Sequence, residues 1–203
     1  MKVLFATTNP AKIKKYAKEL IKRNVELLTL KDLNLNLHVE ENGKSVLENA
    51  YLKAKAYYEK TGIISIGMDN GLLLENISEE KQPGTHVRRV NGKELSDEEM
   101  IEYYTNLVKE NGGKITAKWN YGMVIYDGKE IQKYEWCKSD FYFVDKPSKQ
   151  INPGYPLDSI SIIPEFNKYL VELTEDEKNS RKRADSNNDN KVVEFIVNYI
   201  KGK

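Results

Sequence analysis

Three short runs carry side chains whose types and spacing suit chemistry. Thr7-Thr8-Asn9-Pro10-Ala11-Lys12 follows an apolar run and opens a helix, with Lys12, Lys14 and Lys15 in its first two turns. Lysines oppose the partial positive charge and unpaired N–H groups at a helix start. A bound phosphate would resolve that conflict; lysines pointing into water are the plain alternative. The run has no P-loop glycines. The second run is Glu40-Glu41, followed by Glu48, Asn49 and Lys53. Asn49 and Lys53 are four apart and share a helix face. Adjacent carboxylates before a helix suit a hard divalent cation, although taken alone they read as a solvated pair. The third, Gly67-Met68-Asp69-Asn70-Gly71, brings one carboxylate to the end of an apolar strand. Ligands bind at strand ends of α/β sheets, but Asp-Asn-Gly also favours ordinary turns.

Elements must position these runs. Lys2 to Thr7 reads as a buried first strand, and Asn9 as the cap of a helix with Pro10 first. Ile13, Tyr16, Ala17, Leu20 and Ile21 recur at helical spacing. Val25 to Leu30 reads as a second strand; Leu33 to Val39 alternates as a strand or a loop. Ser45-Val46-Leu47-Glu48 fits a capping box, with the stripe Leu47, Ala50, Tyr51, Ala54 and Tyr58 stopped by Thr61-Gly62. Ile63 to Met68 is a strand, Asp69-Asn70-Gly71 a turn, and Leu72 to Leu74 apolar again. Ser96-Asp97-Glu98-Glu99 caps a third helix carrying Met100, Ile101, Tyr104, Leu107 and Val108, closed by Gly112-Gly113. Ile115 to Val144 reads as long antiparallel strands turning at Asp127-Gly128. Asp185 to Lys191 is polar enough for a mobile loop. Val192, Val193, Ile196, Tyr199 and Ile200 form a last amphipathic helix. The pattern predicts an α/β, mixed-sheet fold.

Composition bounds the function. The 203 residues are 39% hydrophobic and 31% charged, enough for a core without disulfide or metal staples. The 32 basic and 31 acidic side chains leave a net charge of +1. So no global field draws the chain to nucleic acid or an anionic membrane. Lys178, Arg181, Lys182 and Arg183 form a basic cluster, but no nucleic-acid-binding motif accompanies it. No apolar run is long enough to span a membrane, and MKVLFATTNP is too short in apolar residues for a signal peptide. A soluble cytoplasmic protein is expected. The single Cys137 excludes an intramolecular disulfide and a cysteine-rich zinc site. His38 and His86 fit no metal or triad spacing. Trp119 and Trp136 read as core or dimer contacts.

Taken together, the motifs resemble those of the inosine triphosphate pyrophosphatase family. Ala6-Thr7-Thr8-Asn9-Pro10-Ala11-Lys12 is similar to the family's opening Ala-Thr-x-Asn-x-x-Lys. Glu40-Glu41-Asn42-Gly43 and Glu48-Asn49-Ala50-Tyr51-Leu52-Lys53-Ala54 are similar to its Glu-x-x-Gly and Glu-Asn-Ala-x-x-Lys-Ala. Met68-Asp69-Asn70-Gly71-Leu72 stands where the family has Asp-Asp-Ser-Gly-Leu. Pro83-Gly84-Thr85-His86-Val87-Arg88-Arg89 matches Pro-Gly-x-x-Ser-Ala-Arg in part. Asn152-Pro153-Gly154-Tyr155-Pro156-Leu157 stands for Gly-Phe-Gly-Tyr-Asp-Pro. Glu177-Lys178 and Arg181-Lys182-Arg183 stand for the closing Glu-Lys and Ser-His-Arg.

The resemblance implies an elongated mixed sheet with flanking helices, residues 1–203 forming a single domain of two lobes around a nucleotide cleft, and a homodimer. It implies magnesium-dependent hydrolysis of nucleoside triphosphates, non-standard purine ones included, to the monophosphate and pyrophosphate. By position it assigns Thr7, Asn9, Lys12 and Lys53 to the phosphates, and Glu40 (or Glu41) with Asp69 to magnesium. Asp69 also orients or deprotonates the attacking water. Asn70, Gly154, Tyr155, Lys178, Lys182 and Arg183 complete the substrate-binding set. Such chemistry rests on positioning and on neutralising oxygen charge. The departures are Met68 for the first acid, Asn70 for serine, Pro153 for phenylalanine, Pro156 for aspartate and Lys182 for histidine. A nucleotide-binding protein of the same fold without useful catalysis is the alternative. Met68 favours it, while Glu40 and Asp69 favour an enzyme.

Overall fold

The computed structural model describes residues 2–203. The chain begins β1 (Lys2–Ala6), α1 (Pro10–Lys22), β2 (Glu26–Thr29), α2 (Val46–Thr61) and β3 (Ser65–Leu74). Next come β4 (Arg89–Val90), β5 (Lys93–Glu94), α3 (Asp97–Glu110), β6 (Lys114–Tyr126) and β7 (Ile131–Val144). The chain closes with β8 (Ser161–Ile163), β9 (Lys168–Tyr169) and α4 (Glu175–Lys201). A seven-stranded sheet has the order β2-β1-β3-β6-β7-β8-β9, and β4 pairs β5 separately. β1 runs parallel to both neighbours, with Val3 opposite Leu27 and Phe5 opposite Ile66. β8 is antiparallel to β7 and to β9. The mixed α/β class expected from the pattern is the observed one.

The chain divides into two compact units. The first holds the residues up to Asn70, Tyr121–Trp136 and Arg183–Lys203; the second holds Gly71–Asn120 and Cys137–Lys182. In the first unit, strand alternation sorts the side chains onto two faces. Val3, Phe5, Ile66, Met68, Met123 and Ile125 pack against Tyr16 and Leu20 of α1 and Val192, Val193 and Ile196 of α4. Leu4, Ala6, Ala50, Ala54, Tyr57 and Val124 fill the opposite side, under α2. That helix lies directly on the sheet. A Cβ on Gly67 would sit 1.9 Å from the Ala50 carbonyl oxygen, and one on Gly122 would sit 2.8 Å from the Val46 carbonyl carbon. Trp136 belongs to this core and stacks on Tyr121, centroids 5.2 Å apart. The second unit is built on Leu72, Leu74, Met100, Tyr104, Leu107, Phe143, Ile160 and Ile163, with Trp119 packed at the edge.

The expected elements form, with four differences. Asp69-Asn70-Gly71 is no turn: β3 runs unbroken through it. Turn propensity is weak against sheet pairing: β1 pairs β3 as far as Gly67, and β6 is its neighbour on the other side. Asp185 to Lys191 is no loop either, and lies within the continuous α4. A cap at one end and core burial at the other carry the helix across that polar stretch. Thr174 N–H donates to Glu177 (2.8 Å) and Glu177 N–H to the Thr174 hydroxyl (3.3 Å), while Val192, Val193, Ile196 and Ile200 are buried. Ile21 is 61% exposed, one position past the buried edge of α1. The α2 cap is shifted: Ser45 Oγ accepts from Glu48 N–H at 3.2 Å, but the Glu48 carboxylate takes Lys44 N–H at 2.7 Å. Residues 33–39 alternate in burial as a loop, and Leu33, Leu35, Leu37 and Val39 pack on the α2 side.

Candidate functional site

A cavity of about 390 Å³ opens at the C-terminal end of β1. The β1–α1 junction contributes Thr7, Thr8, Asn9 and Lys12; the loop before α2 contributes His38 and Glu41; α2 contributes Lys53 and Tyr57, and β3 contributes Asp69. The junction is a cap. Asn9 Oδ1 accepts from Ala11 N–H (2.9 Å) and Lys12 N–H (3.4 Å), while Asn9 N–H donates to Thr7 Oγ1 (3.2 Å).

The polar centre rests on α2 lying flat over Gly67. Asp69 is two residues further along β3, on the same face, so its carboxylate meets Asn49 and Lys53, the α2 residues next to the Ala50 and Ala54 that lie over Gly67. Asn49 Nδ2 donates to one Asp69 oxygen at 3.1 Å, and Lys53 Nζ to the other at 3.0 Å. Lys53 also reaches Glu41 at 2.9 Å. Asn49 is oriented from behind, since its Oδ1 accepts from Gly43 N–H at 2.8 Å. A Cβ on Gly43 would lie 2.7 Å from that oxygen. The Glu-x-x-Gly and Glu-Asn-Ala-x-x-Lys runs thus meet in one hydrogen-bonded chain ending on a buried carboxylate.

Lys12 differs from its neighbours on α1. Lys15 pairs with Asp189 at 2.7 Å and Lys14 is exposed. The half-buried Lys12 ammonium lines the cavity and makes no hydrogen bond or ion pair with any described residue. Burial first, then the charge of Lys53, pushes its pKa down to about 8. A desolvated cation at a helix N-terminus, beside a second ammonium, is an arrangement that an anion stabilises.

The Ham1 family model matches residues 3–190. This chain belongs to the Ham1 family. It is 32% identical to the dITP/XTP pyrophosphatase of Aquifex aeolicus over 88% of this chain and 89% of that one. It is 29% identical to the dITP/XTP pyrophosphatase of Bacillus subtilis over 90% and 91%. The Staphylococcus aureus Ham1 protein superposes with a TM-score of 0.73 at 22% identity, covering 100% of this chain and 99% of that one. The fold is that of the Ham1 proteins.

Of the residues assigned by motif, Thr7, Asn9, Lys12, Lys53 and Asp69 surround the one cavity. Glu40 is exposed and does not line it; Glu41 is the carboxylate turned to Lys53. Asn70 is half-buried on the opposite face of β3 and does not line the cavity. Met68 is also on that face, inside the apolar core. Gly154, Tyr155, Lys178 and Lys182 belong to the second unit, and Arg183 to the first. Gly154 N–H donates to Asp97 at 2.7 Å, and Tyr155 is 60% exposed. Lys178 pairs with Glu175 at 3.0 Å; Lys182 and Arg183 are exposed. Sequence reasoning left out Thr8, His38, Tyr57 and the Asn49 bridge. The Asn49–Lys53 spacing was the signal for the bridge, while His38 had none. Among the described residues no group of three or more His, Cys, Asp or Glu side chains forms a metal cluster. Asp69 and Glu41, both within reach of one Lys53 ammonium, still fit magnesium, which takes one or two carboxylates and completes its shell with phosphate and water.

Proposed function

We propose that this protein hydrolyses non-standard purine nucleoside triphosphates to the monophosphate and pyrophosphate in the cavity at the end of β1. The observation that carries this reading is the Lys12 ammonium, without a partner among the described residues, beside the Lys53–Asp69 pair at the start of α1. Lys12 and Lys53, with the positive end of the α1 dipole, take the phosphate oxygens and draw charge away from the bond that breaks. Asp69, held by Asn49, orients a water or takes its proton as the water oxygen attacks the α-phosphorus. The bond from the α-phosphorus to the bridging oxygen breaks, and pyrophosphate leaves with that oxygen. Bound by Asp69 and Glu41, magnesium would neutralise phosphate oxygens.

The dITP/XTP pyrophosphatases among the relatives support the substrate class. Burial of Met68 away from Asp69 supports the enzyme over the binding-only alternative, because that substitution removes nothing from the cavity. The family resemblance adds a homodimer, and the composition adds the cytoplasm; no helix among the described residues is long and apolar enough to cross a membrane. The test is a panel of nucleoside triphosphates with magnesium, scored for pyrophosphate release; release from none overturns the reading. Pro153 and Pro156 replace an aromatic and an acidic side chain, and proline supplies neither a stacking ring of that kind nor an N–H. The catalytic efficiency ratio of inosine to adenosine triphosphate is therefore expected to stay below about a hundredfold.

A further inference from the structure

We infer that Lys53 stands in for the metal ion in the resting protein, so that the divalent cation is taken up together with the triphosphate and not before it. The inference relies on the proposed function for its triphosphate, but only on the observed geometry for its carboxylates. Lys53 Nζ lies 2.9 Å from Glu41 Oε2 and 3.0 Å from Asp69 Oδ1. Its side chain is 12% exposed and that of Asp69 11%. The other Asp69 oxygen already accepts from Asn49 at 3.1 Å. The oxygens through which a cation would bridge these two carboxylates are therefore held by an ammonium. A divalent ion on these oxygens would sit within a few ångströms of the Lys53 ammonium, and that like-charge repulsion weakens its binding while Lys53 stays in place.

Displacing Lys53 alone is unfavourable. The freed ammonium stays beside Lys12, which has no partner among the described residues and already feels Lys53 as a repelling charge. An uncompensated buried charge is strongly destabilising. A triphosphate changes the balance: its oxygens take Lys53 and Lys12 together, the two carboxylates fall free, and the cation enters between them and the phosphates. Lys53 thereby serves two partners in turn. Its bridge keeps Glu41 and Asp69 in place while no cation holds them.

Manganese serves as the spectroscopic probe, titrated without nucleotide into the full chain and followed by the resonance of the free ion. Lys53→Met should bind manganese at least about tenfold more tightly than the unmodified protein, because the competing cation is gone. Lys12→Met, which removes a cavity charge but not the bridge, should gain less than about threefold. No gain in Lys53→Met, or an equal gain in Lys12→Met, overturns the inference. A second measurement needs no variant. In the unmodified protein with nitrogen-15 lysine, the Lys53 ammonium resonance should stay in place with magnesium alone and shift when tripolyphosphate is added with it. A shift by magnesium alone, at concentrations below those needed with tripolyphosphate, also overturns it. Pyrophosphate release from the panel separates the two readings. Release without a manganese gain in Lys53→Met retains the pyrophosphatase and removes the stand-in. A gain without release retains the stand-in and removes the pyrophosphatase.

Discussion

Two helix starts follow the same capping rule and end in opposite electrostatic states. At α3, Ser96 Oγ accepts from Glu99 N–H (3.2 Å) and the Glu99 carboxylate accepts from Ser96 N–H (2.9 Å). Asp97, Glu98 and Glu99 complement the dipole. Asp97 accepts from Gly154 N–H and pairs with Arg88, which together hold its carboxyl below the usual range. At α1, Asn9 caps equally well, but the first turn holds no acid and Lys12 faces a cavity. A start completed by its own side chains is structural. One whose N–H groups are capped just as fully, but whose first turn adds a cation with no partner among the described residues, keeps a positive end that suits an anion.

The largest expected effect lies beside the α1 start. Asp69→Asn keeps the shape and the Asn49 contact but cannot take a proton. Turnover should fall about a hundredfold or more, the usual scale for a general acid–base group, and triphosphate binding should change far less. Near-normal pyrophosphate release in this variant would remove Asp69 from the chemistry.

Next comes Lys12→Ala. A charge-assisted hydrogen bond to phosphate contributes about 1.5–3 kcal/mol, so triphosphate affinity should drop about ten- to a hundredfold. Stability should not drop, because the Lys12 ammonium has no partner among the described residues. Equal loss of affinity for a nucleoside and its triphosphate would show that Lys12 does not read the phosphates.

The contrast between the helix starts also explains what the sequence revealed. Both caps were legible because capping is local: Asn9-Pro10 and Ser96 to Glu99 are decided within four residues. Lys12, Lys53 and Asp69 were legible as separate motifs, and α2 lying on Gly67 brings the latter two together. The path of β3 was not legible. Asp69-Asn70-Gly71 carries every local sign of a turn, and the sheet keeps it extended: β1 pairs the strand up to Gly67 and β6 lies on its other side. That error hid the meaning of Met68, because strand alternation, and not adjacency in sequence, decides which residues share a face with Asp69. The polar stretch at 185–191 misled for a similar reason: a cap at Thr174 and burial at Val192 lie outside it.

A smaller effect follows from protonation. The Lys12 pKa of about 8 lies below the ordinary 10.5. A bound triphosphate favours the charged form and raises that value. Affinity should therefore be level below pH 8 and fall by up to about tenfold for each pH unit above it. The sign for stability is opposite. The unfolded chain binds the extra proton between pH 8 and 10.5. In that window the Lys12 penalty is relieved, and its contribution to stability rises with pH. Lys12→Ala should flatten both profiles; an unchanged affinity profile in that variant would assign the pH dependence to another group.

The smallest effect is at α3, and it tests the comparison from the other side. Ser96→Ala leaves the Glu99 N–H without its side-chain acceptor. Losing a serine cap typically destabilises by about 1 kcal/mol. For a chain of this length that is a fall in Tm of roughly 2–4 °C. The Glu99 carboxylate can still accept from the residue 96 N–H, so the helix should start at the same place. Asp97 retains both of its partners, and the backbone around Gly154 should keep its anchor. Triphosphate affinity and turnover should accordingly match the unmodified protein while Tm is lower. Lys12→Ala should show the reverse pair of changes. A Ser96→Ala variant that lost triphosphate affinity as Lys12→Ala does would mean that the two helix starts do not divide structure from binding in this way.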